Sequence, residues 1–345
     1  MNAPPRHLTD VHPSVPPERL LADLVPPRHF ADASFGSYRP DPAHPSQQAT
    51  VDRLVEVAAT LDAEQGGWRR RLGLASRTTP PAIYLDGGFG VGKTHLLTSL
   101  AHAVGTRSSS YGTFVEYTNL VGALGFARTV DALASKRLVC IDEFELDDPG
   151  DTVLMSRLLR ELADRGVALA ATSNTLPDSL GEGRFAAEDF LREIQALAAR
   201  FEVLRVDGDD YRHRAAVTGA QGLEDREVAE VVDGRDGAAL DDFDALLSHL
   251  SQVHPSRYGA LLDGVDLLGL IGVHPVTEQS TALRLVVLVD RLYDRDVPVL
   301  LGGSGGTDLF TEEMLAGGYR KKYYRALSRL GSLAEDGRRL VSSPA

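Results

Sequence analysis

The stretch Asp86-Gly87-Gly88-Phe89-Gly90-Val91-Gly92-Lys93-Thr94 carries the residue types that phosphate chemistry requires. Gly87, four intervening residues and then Gly92-Lys93-Thr94 fit G-x-x-x-x-G-K-[ST], the P-loop or Walker A pattern. Glycines let the backbone curl so that successive N–H groups point at phosphate oxygens, and the start of the following helix adds partial positive charge. In this pattern residues Gly87, Gly88, Phe89, Gly90, Val91, Gly92, Lys93 and Thr94 hold the nucleotide. Lys93 reaches the β- and γ-phosphates, and the Thr94 hydroxyl binds Mg²⁺.

A second acidic centre follows downstream. Leu138-Val139-Cys140-Ile141 is an apolar run that ends in Asp142-Glu143, the Walker B pattern. A buried parallel strand would carry both carboxylates to its C-terminal edge, where ligands of open α/β sheets collect. Asp142 is then the metal residue beside Thr94, and Glu143 the base that polarises the attacking water. The Asp-Glu pair separates this chain from nucleotide kinases and small GTPases, which take their water-orienting group from elsewhere. Val167 to Ser173 reads as another apolar strand, and Asn174 at its end occupies the place of a sensor amide touching water and γ-phosphate. The competing reading makes Asn174 a turn or N-cap residue before Pro177. Arg200, at the end of a predicted helix, stands where oligomeric AAA ATPases present a finger to a neighbour; a solvated helix-end cation is the plainer reading.

These groups need a scaffold of alternating strands and helices. Ala82–Leu85 predicts the strand before the glycines and His95–Ala101 the helix after them. Gly112–Tyr117 reads as a second strand, and Glu202–Val206 as the last strand of the core. Apolar positions at Val51, Leu54, Val55, Ala58, Ala59 and Leu61 predict an amphipathic helix from about Ser46, preceded by a proline-rich arm that Phe30, Phe35 and Tyr38 pin to the core. Residues 219–239 read as a loop or linker. Gly302–Gly306 lacks a lysine at the required place and reads as a turn, while Tyr319–Arg325 reads as an amphipathic helix.

Several motifs beyond Walker A and B resemble one family. Ile141-Asp142-Glu143-Phe144 with Asp148 and Asp151, Ala171-Thr172-Ser173-Asn174, Asp210-Tyr211-Arg212, Leu288 to Arg295 and Arg325 to Leu330 are similar to the ZapE-type cell-division ATPases of the AAA class. The resemblance runs over roughly residues 80–335. It implies a three-layer αβα P-loop NTPase core of AAA type with a mostly parallel sheet, an N-terminal extension and a smaller C-terminal α/β region. It also implies ATP hydrolysis with Mg²⁺, a homo-oligomer, a protein partner at the division machinery, and a sensor-2 or trans-acting role for one of Arg284, Arg325 and Arg329. The expected divisions are 1–79 for the arm and first helix, 80–218 for the ATPase core, and 219–345 for a region that completes it.

Composition sets the outer bounds. With 345 residues, 43% hydrophobic and 25% charged, the chain can bury a sizeable core. A net charge of −13 weighs against binding nucleic acid through the whole surface, and so against the alternative of a DNA-associated helicase-loader or transposition helper. Another alternative, a nucleotide-dependent scaffold with vestigial hydrolysis, is opposed by the presence of both Glu143 and Asn174. The single cysteine, Cys140, sits in an apolar run and reads as a buried thiol. No apolar leader core and no run of 18 apolar residues is found, which leads to the expectation of a cytoplasmic protein without a membrane span.

Overall fold

A computed structural model describes residues 5–63, 79–88, 90–144, 149–173, 199–208, 222–306 and 308–342. The chain divides into two compact units: Pro16–Pro26 with Phe30–Tyr211, and Met1–Val15 with Pro27–His29 and Arg212–Ala345.

The first unit is built on a parallel sheet in the order β2-β3-β4-β1-β5. Its strands are β1 (Ala82–Gly87), β2 (Ser109–Thr113), β3 (Leu138–Asp142), β4 (Ala168–Ser173) and β5 (Glu202–Val206). Side chains alternate across a strand, so the inner strands β1, β3 and β4 each feed two cores. Ile83 and Leu85, Leu138 and Cys140, and Ala168 and Ala170 join one cluster, packed by α1 (Pro45–Ala63) and α2 (Lys93–Val104) through Leu54, Leu96, Leu97 and Leu100. Tyr84, Val139, Ile141, Leu169 and Ala171 join the opposite cluster, with α3 (Phe114–Leu124), α4 (Phe126–Leu133) and α5 (Pro149–Asp164). Strands apolar on both faces are what a covered parallel sheet demands, and the result is a three-layer αβα unit.

The edge strand β2 is closed rather than left as a template. The Tyr111 N–H donates to the Leu24 carbonyl at 3.0 Å, and Leu20, Leu21 and Leu24 of the arm pack against the α3 side of the sheet. The expected strand over 112–117 is corrected here: β2 stops at Thr113 and α3 begins at Phe114. Thr113 and Glu116 form a capping box, with the Glu116 carboxylate accepting from the Thr113 N–H at 2.7 Å. The T-x-x-E spacing that ends the strand was present in the sequence, and it outweighs the β propensity of Phe114 and Val115.

The second unit holds a smaller parallel sheet, β6 (Ala238–Asp242), β7 (Leu267–Ile271) and β8 (Val299–Leu301), in that order. Helices α6 (Asp225–Val232), α7 (Phe243–Gln252), α8 (Gln279–Asp294) and α9 (Arg320–Ser342) belong to it. Within the stretch read as a loop, Asp225–Val232 is helical, because Val228 and Val232 lie one turn apart and both are fully buried. The start of the chain joins this unit: Asp241 accepts from the N–H groups of Leu8 at 2.8 Å and Thr9 at 3.2 Å. Among the described residues no helix is long and apolar enough to cross a membrane.

Candidate active site

The first unit gathers its chemistry at the C-terminal edge of the five-stranded sheet. β1 runs into the glycine loop, β3 ends on Asp142, and β4 lies between them, so the two strand ends stand about 10 Å apart at usual strand spacing while the helix after the loop reaches back toward Asp142.

The loop has steric reasons for its glycines. A Cβ on Gly87 would run into the Val206 carbonyl oxygen of the neighbouring strand. Gly92 sits at φ 88°, in the left-handed region, and a Cβ there would lie 2.6 Å from the Tyr38 ring. Gly92 is also the N-cap of α2, so the helix begins with N–H groups that no side chain caps. These features make a cradle for an anion. The Lys93 ammonium donates to the carbonyls of Gly87 at 2.8 Å and Gly88 at 2.5 Å, which holds it over the loop.

The arm supports the loop from behind, as its aromatic residues suggested. The Tyr38 hydroxyl donates to the Val91 carbonyl at 2.7 Å. The buried Gln47 donates to the Asp207 carbonyl at 2.7 Å and accepts from the Asp41 N–H at 2.8 Å, tying the start of α1 to the end of β5.

Asp142 is buried and lies beside the loop helix: the Thr94 hydroxyl approaches its Oδ1 at 3.4 Å. A hydroxyl and a carboxylate converging in this way are hard oxygen donors of the kind Mg²⁺ takes, so the residues present fit that ion together with a triphosphate. Two further side chains reach the same carboxylate. The Tyr111 hydroxyl donates to Oδ2 at 2.8 Å, and the Thr172 hydroxyl donates to Oδ1. Burial, with the Asp142 charge adding to it, pushes the Tyr111 phenol well above its ordinary titration range. Burial likewise pushes the Cys140 thiol up, so this fully buried cysteine remains a packing residue.

Glu143 has a backbone φ of 55°, rare for a residue with a Cβ. Its N–H donates to Asp142 Oδ1 at 3.1 Å and Thr172 Oγ1 at 3.0 Å, and the next N–H, of Phe144, donates to the Thr172 carbonyl at 2.7 Å. The fully buried Phe144 ring anchors the turn edge-to-face against Tyr84 and Phe114. Such strain costs about 1–3 kcal/mol and persists where the surroundings over-determine it. Here it turns Glu143 off the end of a buried strand.

Other expected site residues are placed differently. Phe89, Asn174, Asp148 and Asp210-Tyr211-Arg212 lie outside the described residues. Arg200 comes just before β5, whose Glu202 pairs with Ile83, so it stands at the sheet edge opposite the glycine loop. There it pairs with Asp164 at 3.3 Å. Arg325 and Arg329 both grip Asp290, at 2.7 and 2.6 Å. Burial opposes ionisation of Asp290, but the two guanidinium groups hold its carboxyl below the usual carboxylate range. Arg284 donates to the Leu250 and Val253 carbonyls at 3.0 and 3.3 Å, closing the end of α7. All three therefore have structural partners inside the second unit. Gly302–Gly306 follows β8 as a turn, with Gly303 and Gly305 at φ 59° and 67°.

Tyr111 was not singled out from the sequence, and Thr172 entered only as part of the Ala171-Thr172-Ser173-Asn174 motif, with no role toward Asp142. Their role depends on strand register, which a single chain does not print.

Residues 14–223 and 220–338 match the AFG1-like ATPase family. The cell division protein ZapE of Escherichia coli (strain K12) is 29% identical over 219 residues, covering 56% of this chain and 58% of that protein. The chain thus spans little more than half the length of this relative. An uncharacterized protein of Schizosaccharomyces pombe is 29% identical over 163 residues, 40% of this chain and 34% of that one. Among solved structures, DnaI matches with a TM-score of 0.40 and 17% identity over 56% of this chain and 98% of its own.

Proposed function

Because the chain belongs to the AFG1-like ATPase family, we propose that it binds and hydrolyses ATP and uses the cycle to change the conformation of a protein partner. One observation carries this reading. A lysine over a glycine loop, the hydroxyl next to it and a buried carboxylate from another strand meet at one sheet edge, with Thr94 3.4 Å from Asp142.

The residues act by positioning and charge. The loop N–H groups and the start of α2 hold the phosphates, and Lys93 turns from the loop carbonyls to the β- and γ-oxygens. Thr94 and Asp142 hold Mg²⁺, which when bound neutralises charge on the phosphate oxygens. Glu143, set off the strand end by its left-handed backbone, accepts a proton from the attacking water. Asn174, one residue beyond β4, orients that water. Arg200 cannot serve the site of its own subunit from the opposite sheet edge, so in this mechanism it completes a neighbour's site in a homo-oligomer. The E. coli relative's name, cell division protein, supports a client among division proteins.

If the site is shared, phosphate release per subunit rises with protein concentration in the presence of ATP. Arg200→Ala is expected to abolish that rise and leave ATP binding unchanged. Turnover per subunit independent of concentration, in a protein that stays monomeric with ATP, would contradict the shared site.

A further inference from the structure

The carboxylate of Asp142 is gripped from both sides. Register places Tyr111 of β2 opposite Cys140 of β3, and Cys140 opposite Ala170 of β4. Two residues further along β3 and β4 come Asp142 and Thr172, and strand alternation puts all three side chains on the sheet face covered by α2. From β2, Tyr111 donates its hydroxyl proton to Oδ2 at 2.8 Å; from β4, Thr172 donates to Oδ1. The Glu143 N–H at 3.1 Å and the Thr94 hydroxyl at 3.4 Å also reach Oδ1. Among the described residues every donor to this carboxylate is therefore electrically neutral.

The neutrality has a physical consequence. A buried carboxylate needs donors, since leaving it unsatisfied is costly. A lysine or arginine would satisfy it but would cancel the charge that a cation needs. Hydroxyl and amide donors satisfy the oxygens and leave the negative charge in place. Tyr111 is 3% exposed, and its hydroxyl is Oδ2's donor where water cannot readily substitute. A phenylalanine would fill the same apolar space, so packing alone does not call for the oxygen.

We propose that Tyr111, with Thr172 opposite it, is a positioning residue that fixes the plane of the Asp142 carboxylate so that its Oδ1 edge faces Thr94 and a divalent cation. The proposal rests on the ATPase reading and adds to it a residue outside the glycine loop and the Asp-Glu pair. Removing a group that orients a metal ligand typically costs 10- to 100-fold in metal affinity.

The test uses the full chain, its Tyr111→Phe variant and its Thr172→Val variant, each loaded with ADP. Mn²⁺ is titrated and followed by electron paramagnetic resonance. Half-saturation in Tyr111→Phe is expected to rise about tenfold or more. ADP affinity in EDTA should match wild type, while the unfolding midpoint falls because Oδ2 loses its buried donor. Thr172→Val should shift in the same direction, and the double variant should cost less than the two singles combined, because both act on one carboxylate. Should Tyr111→Phe fail to fold, an unchanged half-saturation in Thr172→Val overturns the clamp. Equal Mn²⁺ half-saturation in Tyr111→Phe and wild type, or ADP affinity in EDTA falling in step with it, overturns the role of Tyr111 and leaves the ATPase reading standing. Failure of the wild type to bind ADP at all would strike the ATPase reading first.

Discussion

The Glu143→Gln variant is expected to bind ATP as wild type does and to release phosphate about 10²- to 10⁴-fold more slowly, the usual contribution of a positioned general base. The amide keeps the size of the side chain and one accepting oxygen but cannot take a proton. The backbone that aims it is held by groups the substitution leaves untouched: the Glu143 N–H on Asp142 and Thr172, the Phe144 N–H on the Thr172 carbonyl, and the buried Phe144 ring. Binding and chemistry should therefore separate cleanly. Steady-state phosphate release beside equilibrium binding of a fluorescent ATP analogue measures both. Equal turnover in the variant and wild type would remove Glu143 from the mechanism.

The local chemistry of this site was legible because P-loop and strand-end motifs are contiguous in sequence. Gly87 to Thr94 prints a strand, a curl and a helix start in one stretch, and four apolar residues before Asp142 announce a buried strand with acids at its tip. The three-layer core with its mostly parallel sheet came from the family resemblance, whereas the strand order β2-β3-β4-β1-β5 belongs to the folded sheet alone. What depends on pairing at a distance did not show. Asp290 meets Arg325 and Arg329 across 35 and 39 residues, so a motif reading offered both arginines to the nucleotide, while the structure gives each an ion pair in the second unit. Tyr111 reaches Asp142 across 31 residues, by a register that only the folded sheet defines. Two local signals were readable and outweighed: the T-x-x-E box at Thr113, and the one-turn spacing of Val228 and Val232 inside a charged stretch.

Lys93→Ala should fail one step earlier than Glu143→Gln. Its ammonium supplies charge-assisted hydrogen bonds to the phosphates, each worth about 1.5–3 kcal/mol, so its loss weakens ATP binding by about 100-fold or more. The loop itself should survive. Gly87 is fitted against β5, Val91 is buried and takes the Tyr38 hydroxyl on its carbonyl, and Gly92 keeps its left-handed turn under the Tyr38 ring. Lys93 donates to the Gly87 and Gly88 carbonyls, and the contacts of Gly87, Val91 and Gly92 do not depend on it. An unfolding midpoint near wild type, together with lost binding of the same fluorescent nucleotide, is the expected pair of results. Wild-type affinity in Lys93→Ala would place the triphosphate somewhere other than this loop.

In the proposed mechanism one loop, one lysine and two acids at the end of a second strand, with β4 between that strand and the loop's, serve the same triphosphate. A crystal structure of Glu143→Gln grown with ATP and Mg²⁺ tests it most directly. The expected result is intact ATP on the glycine loop, Lys93 Nζ moved from the Gly87 and Gly88 carbonyls to the β- and γ-phosphates, the metal between Thr94 and Asp142, and the residue at 143 facing the γ-phosphate. Nucleotide bound away from the loop, or bound there with residues 142 and 143 turned from the phosphates, would contradict it.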